Sequence, residues 1–152
     1  MIYNYDVVVI GAGPIGGYLS KNLSELGHSV LLIEEHAEIG RPFQCAGLVN
    51  PGAMEKVNLE ETALTRIWGA RLHSPSGSFI EIGDPSITRT WSVCRKLFDE
   101  QVVIQSIKSG TDLWLSSNPI SAVVKEDYVD LIINVDGSKT EVRTKLLCGA
   151  DG

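Results

Sequence analysis

An α/β fold, with a Rossmann-like parallel sheet and an antiparallel three-stranded meander, is predicted by three features of the sequence. A continuous apolar stretch, Tyr5–Ile10, runs into the glycine-rich turn Gly11-Ala12-Gly13-Pro14-Ile15-Gly16-Gly17. Apolar residues at helical spacing follow and give way to a second apolar stretch, Val30–Ile33, closed by Glu34. Further along, three strand-like segments are separated by turn residues.

Tyr5–Ile10 is apolar throughout, as expected of a parallel strand covered on both faces. Ile15, Leu19, Leu23 and Leu26 recur at intervals that line one face of a helix. Ser20 stands where such helices often carry alanine, a small change. Gly27 is placed to end the helix in a left-handed cap. His36–Asn50, with Gly40, Pro42 and Gly47, reads as a long structured loop, and Ala53–Ile67 as the site of a short helix. Ala70–His73 and Phe79–Ile82 form a hairpin around a Ser-Pro-Ser-Gly turn, and Asp84-Pro85 ends it. Arg95–Ser109 is a second helix, with Phe98 and Val102 one turn apart and Gly110 as its stop. Thr111–Ser116 is a strand. Ser121–Lys125, Tyr128–Val135 and Lys139–Arg143 form the meander, with Asp136-Gly137 a tight-turn signal. Lys145–Cys148 is a last strand, entering Gly149-Ala150-Asp151-Gly152.

Composition excludes several classes. Thirteen Lys and Arg against nineteen Asp and Glu give a net charge of −6, which argues against nucleic-acid binding and against a polybasic membrane anchor. No apolar run approaches the roughly 18 residues of a transmembrane helix, and no signal peptide is evident. Cys45, Cys94 and Cys148 are odd in number and widely spaced, which suits a reducing compartment. Cytoplasmic residence is therefore expected. His28, His36 and His73 show no metal-ligand spacing, so no metal is expected.

The glycine turn carries the chemistry. Gly11 permits the strand-to-helix turn, Gly13 lets backbone approach a pyrophosphate, and Gly16 lets the helix pack on the strand. The following helix start offers N–H groups and partial positive charge to phosphates. Glu34, 18 residues after Gly16, is placed to accept hydrogen bonds from an adenosine ribose and to repel a 2′-phosphate, disfavouring NADP. Glu35 competes for the ribose role. The opposing reading is a glycine turn that binds nothing. The motif alone does not separate NAD from FAD.

Four further segments resemble the geranylgeranyl reductases of archaea, within the aromatic-hydroxylase-like flavoproteins. They are Ile33-Glu34-Glu35-His36-Ala37-Glu38-Ile39-Gly40-Arg41-Pro42-Phe43-Gln44-Cys45-Ala46-Gly47-Leu48-Val49, the Arg71–Ile82 hairpin, Cys94-Arg95-Lys96-Leu97-Phe98-Asp99, and Leu147-Cys148-Gly149-Ala150-Asp151-Gly152. The resemblance implies FAD as cofactor. It implies Arg41 along the diphosphate or ribose, Cys45, Ala46 and Gly47 near the flavin ring, Arg95 contacting the cofactor, and Asp151 holding a cofactor-facing loop. Pro14 and Ile15 join Gly11, Gly13, Gly16 and Glu34 at the phosphate end. Cys45 is the candidate catalytic residue. The competing readings are a solvated Arg41, an inert buried Cys45, and an Arg95 that caps a helix or pairs with Glu100. Cys94, Cys148 and the three tryptophans read as packing residues.

By the same resemblance, residues 1–152 are the N-terminal part of an FAD-binding domain, with a later FAD motif and a substrate domain beyond it. The implied reaction is reduction of C=C bonds in geranylgeranyl or other isoprenoid lipid chains. A flavin mono-oxygenase, an electron-transfer dehydrogenase and a non-catalytic nucleotide-binding module are the alternatives. The implied partners are an isoprenoid lipid and peripheral membrane contact, with self-association of the chain through exposed core surface.

Overall fold

The computed structural model describes residues 2–43 and 45–152; Gln44, in the loop quoted above, lies outside the described residues. In chain order the elements are β1 (Ile2–Ile10), α1 (Pro14–Glu25), β2 (Val30–Ile33), β3 (Leu48–Val49), α2 (Pro51–Val57), β4 (Ala63–Ile67), β5 (Gly69–His73), β6 (Phe79–Gly83), β7 (Thr90–Val93), α3 (Arg95–Lys108), β8 (Asp112–Trp114), β9 (Ser117–Val124), β10 (Val129–Val135) and β11 (Ser138–Gly149). The chain divides into two compact units, Met1–Pro42 with Asp99–Gly152, and Phe43–Phe98. Among the described residues, no helix is long and apolar enough to cross a membrane.

The first unit is built on a six-stranded sheet in the order β8-β2-β1-β11-β10-β9. Strands β8, β2, β1 and β11 run parallel, and β11, β10 and β9 antiparallel. Parallel and meander portions therefore share one sheet, joined through β11. Two apolar clusters cover its faces. Val7, Val9, Val30 and Leu32 pack with Val103, Leu19 and Leu23 on the helical side. Val8, Leu31 and Ile33 share the other cluster with Val129, Leu131 and Ile133 of β10 and Val142 of β11. All of β2 is buried, which is why its sequence is apolar without alternation.

Helix α1 departs from its expected face. Leu19 and Leu23 pack on the core, but Ile15 is 71% and Leu26 74% exposed. The buried positions are Gly16, Gly17 and Ser20. A Cβ on Gly17 would stand 3.0 Å from Val102 and 3.2 Å from Val103 side-chain atoms, so small residues let α3 approach. Gly27 ends the helix at φ 89°, its N–H donating to Ser24 O at 2.9 Å. Ser20 is not the neutral change expected. It is fully buried and its hydroxyl has no hydrogen-bond partner among the described residues. An unsatisfied buried hydroxyl costs about 1–3 kcal/mol. Ser20→Ala is therefore expected to raise unfolding free energy by about 1 kcal/mol, measured by urea denaturation.

Residues 139–143 and 145–148, expected as two strands, are one strand, β11. The side-chain alternation breaks at Thr144–Lys145: Val142 and Leu147 serve the same cluster despite opposite parity. The same break occurs on β1, where the N–H groups of Asp6 and Val7 both donate to Ser29 O, at 3.0 and 3.1 Å. Two donors on one acceptor interrupt the alternation as a bulge does, so Tyr5 joins the face of Val8. The two breaks lie opposite each other and are tied together. Asp6 Oδ1 accepts from Lys145 Nζ at 2.7 Å, and Asp6 Oδ2 accepts from the Ser29 N–H and hydroxyl at 2.9 and 2.8 Å.

Lys145 first, then the Ser29 donors, hold the Asp6 carboxyl well below the usual carboxylate range. A carboxylate lowered on folding contributes stability that is present above its unfolded pKa, about 4, and lost as pH falls through the folded value. On acidification below about pH 4, the wild-type melting temperature is expected to fall more steeply than that of Asp6→Asn. Thermal scans at a series of acid pH values check this.

The second unit holds a three-stranded antiparallel sheet, β3-β7-β4, and a separate ribbon, β5-β6. The ribbon matches the expected hairpin, with Leu72 opposite Ile80 and Arg71 opposite Glu81. The helix expected within Ala53–Ile67 begins earlier, at Pro51. Asn50 caps it, its Oδ1 accepting from the Ala53 N–H at 2.8 Å. Asn58, left-handed at φ 52°, ends it. Residues Ala63–Ile67 are instead a strand, because β7, itself not expected, pairs with them.

Candidate nucleotide-binding site

The glycine turn joins β1 to α1 at the carboxyl end of the parallel strands. Gly11 has φ 96° and a Cβ there would sit 2.6 Å from Ala150 O. Its own N–H donates to Ile33 O at 2.8 Å, which locks the turn to β2. A Cβ on Gly16 would collide with the Gly11 carbonyl oxygen. Gly13 differs: its φ is −75° and a Cβ would meet nothing within 4 Å. It borders open space at the head of α1. That helix starts with Pro14 and, among the described residues, has neither a side-chain cap nor an acidic residue in its first turn, so its first-turn N–H groups and the positive end of its dipole are left for an anion.

Glu34 leaves β2 directly beside this turn. Its N–H donates to Trp114 O at 2.9 Å and its carbonyl accepts from the Ser117 N–H at 2.8 Å, so β8 and β9 fix its backbone. Glu34 Oε2 accepts from the Ala12 N–H at 2.9 Å. Oε1 accepts from the His36 N–H at 3.1 Å and from His36 Nδ1 at 2.7 Å. The Glu34 side chain is 15% exposed, that of Glu35 70%. His36 is a residue that sequence reasoning weighed only as a metal ligand. Its position two residues after the acid was the available signal.

Arg41 lies on the exposed loop, 3.8 Å from Glu38 Oε2. Asp151 is exposed and follows Ala150, whose N–H donates to Ile10 O at 2.7 Å. Thus Gly11, Gly13, Pro14, Ile15, Gly16, Glu34 and Asp151 gather at one end of the first unit's sheet. In the second unit, Cys45 and Ala46 are exposed and Gly47 is buried. Gly47 has φ 73°, and a Cβ there would clash with Val93 O and stand 3.4 Å from Arg95 Cγ. Cys94 and Cys148 are half-buried, and Cys148 packs on the helical-side cluster.

A family model described as FAD binding domain matches residues 4–65. Digeranylgeranylglycerophospholipid reductase of Methanosarcina acetivorans is 34% identical over 97% of this chain, and that of Methanococcus vannielii 37% identical over 98%. Along nearly all of its length the chain is thus similar to digeranylgeranylglycerophospholipid reductases. It spans 38% of the length of either relative. Among solved structures, a geranylgeranyl bacteriochlorophyll reductase-like protein of Thermoplasma acidophilum superposes with a TM-score of 0.90. It is 25% identical, and the match covers all of this chain and 40% of that one.

Proposed function

We propose that residues 1–152 form the first part of the cofactor site of a flavin-dependent reductase that saturates C=C bonds of isoprenoid lipid chains. Similarity along nearly the whole chain to reductases named for a digeranylgeranyl lipid carries this reading. The glycine turn fits FAD: Gly13 leaves room for a pyrophosphate, and the uncapped start of α1 supplies donors and positive potential. Glu34 is assigned the adenosine ribose in preference to Glu35, because its carboxylate already stands against Ala12 of the turn. Its charge disfavours a 2′-phosphate. Pro14 and Ile15 border the phosphates, Arg41 lies along the diphosphate or ribose, and Asp151 supports the loop facing the cofactor. Cys45, Ala46, Gly47 and Arg95 serve the flavin side, with Cys45 the residue nearest the chemistry. When bound in its reduced form, FAD would supply the hydride for alkene saturation and be oxidised in doing so, with a proton completing the addition at the neighbouring carbon. A lipid substrate implies peripheral contact with a membrane.

The test is titration of the chain with FAD and separately with NAD, following flavin fluorescence and thermal stability. Stabilisation by FAD that is lost in Glu34→Ala supports the assignment. A response to NAD without one to FAD overturns the assignment.

A further inference from the structure

We infer that Tyr3, Tyr5, Trp114 and Asp112 form a binding site for an alkylammonium group, on the side of the parallel strands that faces away from the helices. They line an open depression of about 470 Å³, with Val135 and Thr140 on its meander side. That volume lies within the range of small-molecule sites, about 300–1,000 Å³. The inference does not depend on the flavin reading.

The residues meet there because of the break in β1. Strict alternation would put Tyr5 on the face of Val7 and Val9, beneath the helices. The two N–H groups sharing Ser29 O shift it, and Tyr5 packs instead with the cluster of Val8, alongside Trp114. Tyr3, two residues earlier, meets Trp114 edge-on with ring centroids 5.2 Å apart. A perpendicular pair leaves one ring face turned towards the space beside it, and such faces carry the negative end of the ring quadrupole.

Asp112 adds a full charge. Tyr5 Oη donates to Asp112 Oδ2 at 2.8 Å, which holds the carboxylate at the rings. Among the described residues no Lys, Arg or His pairs with it. The Tyr5 phenol is pushed above its usual range by its own burial and then by the uncompensated Asp112, so the site presents neutral aromatics and one anion. An exposed carboxylate alone gains little from a cation, and an exposed ring alone gains only modestly. Together they favour a weakly hydrated cation that has apolar surface to set against the rings, which describes a quaternary ammonium better than a metal ion.

The probe is choline, titrated into the 152-residue chain by 1H–15N NMR, with 3,3-dimethylbutan-1-ol as its uncharged isostere. Saturable shifts at the Trp114 indole and the Tyr3, Tyr5 and Asp112 amides are expected, with the alcohol at least about fivefold weaker. Asp112→Asn and Trp114→Leu are each expected to weaken choline about fivefold or more. Sedimentation with phosphatidylcholine vesicles separates a lipid-borne headgroup from the free cation; binding in either form supports the site. Equal binding of choline and the alcohol overturns it. So do shifts located elsewhere, or binding to neither choline nor vesicles. The isostere comparison uses the unaltered chain, so the result stands even if a variant fails to fold.

Discussion

Gly16→Ala is expected to lower stability by about 3 kcal/mol, and the melting temperature by about 10 °C. Gly13→Ala is expected to leave stability within about 1 kcal/mol of wild type while weakening FAD binding tenfold or more. The two glycines stand three residues apart in one motif but face different things. At Gly16 the added methyl would meet backbone, the carbonyl of Gly11. That carbonyl has nowhere to go, because Gly11 is bonded to Ile33 O and packed against Ala150 and Asp151. At Gly13 the methyl would enter open space, on backbone that any residue adopts. Its only conflict is with a phosphate seated on the helix start. Thermal melts and FAD titrations on both variants separate the two roles. A Gly13→Ala chain that binds FAD as tightly as wild type would remove the phosphate from this turn.

The βαβ unit was legible because its signals are local: an apolar strand, glycines at fixed spacing, and a helix ended by Gly27. The hairpin at 69–83 and the turn at Asp136-Gly137 were legible for the same reason. Strands β4 and β7 were not. They have only five and four residues, mostly exposed in β4 and mostly half-buried in β7, and what makes them strands is pairing across more than twenty residues, β4 with β7 and β7 also with β3. Reading β11 as two pieces came from its broken alternation, which is a bend matched in β1 and pinned by Asp6 and Lys145. Ile15 and Leu26 followed helical spacing yet lie exposed, because Gly17 and Ser20 supply the close contact that their volume would prevent. In the site, the glycines and Glu34 could be placed from spacing alone. The His36 contact could not, since it depends on how the chain turns after β2.

Glu34→Ala is expected to weaken FAD binding about a hundredfold and to cost about 1–2 kcal/mol of stability. The two effects have separate causes. The carboxylate takes the Ala12 N–H on one oxygen and the His36 N–H and ring on the other. Without it these donors lose their partner, and a partly buried N–H left unpaired lowers stability whether or not cofactor is present. Affinity falls further because a charged acceptor for the ribose hydroxyls is gone, a contact of about 1.5–3 kcal/mol. Glu34→Gln keeps one acceptor for Ala12 and is expected to regain most of the stability but little of the affinity. The position of the loss along the cofactor decides the role. If Glu34 holds the adenosine ribose, Glu34→Ala weakens FAD and AMP together and leaves FMN binding unchanged. If all three fall in step with stability, the carboxylate only staples the turn, and the ribose must be held elsewhere.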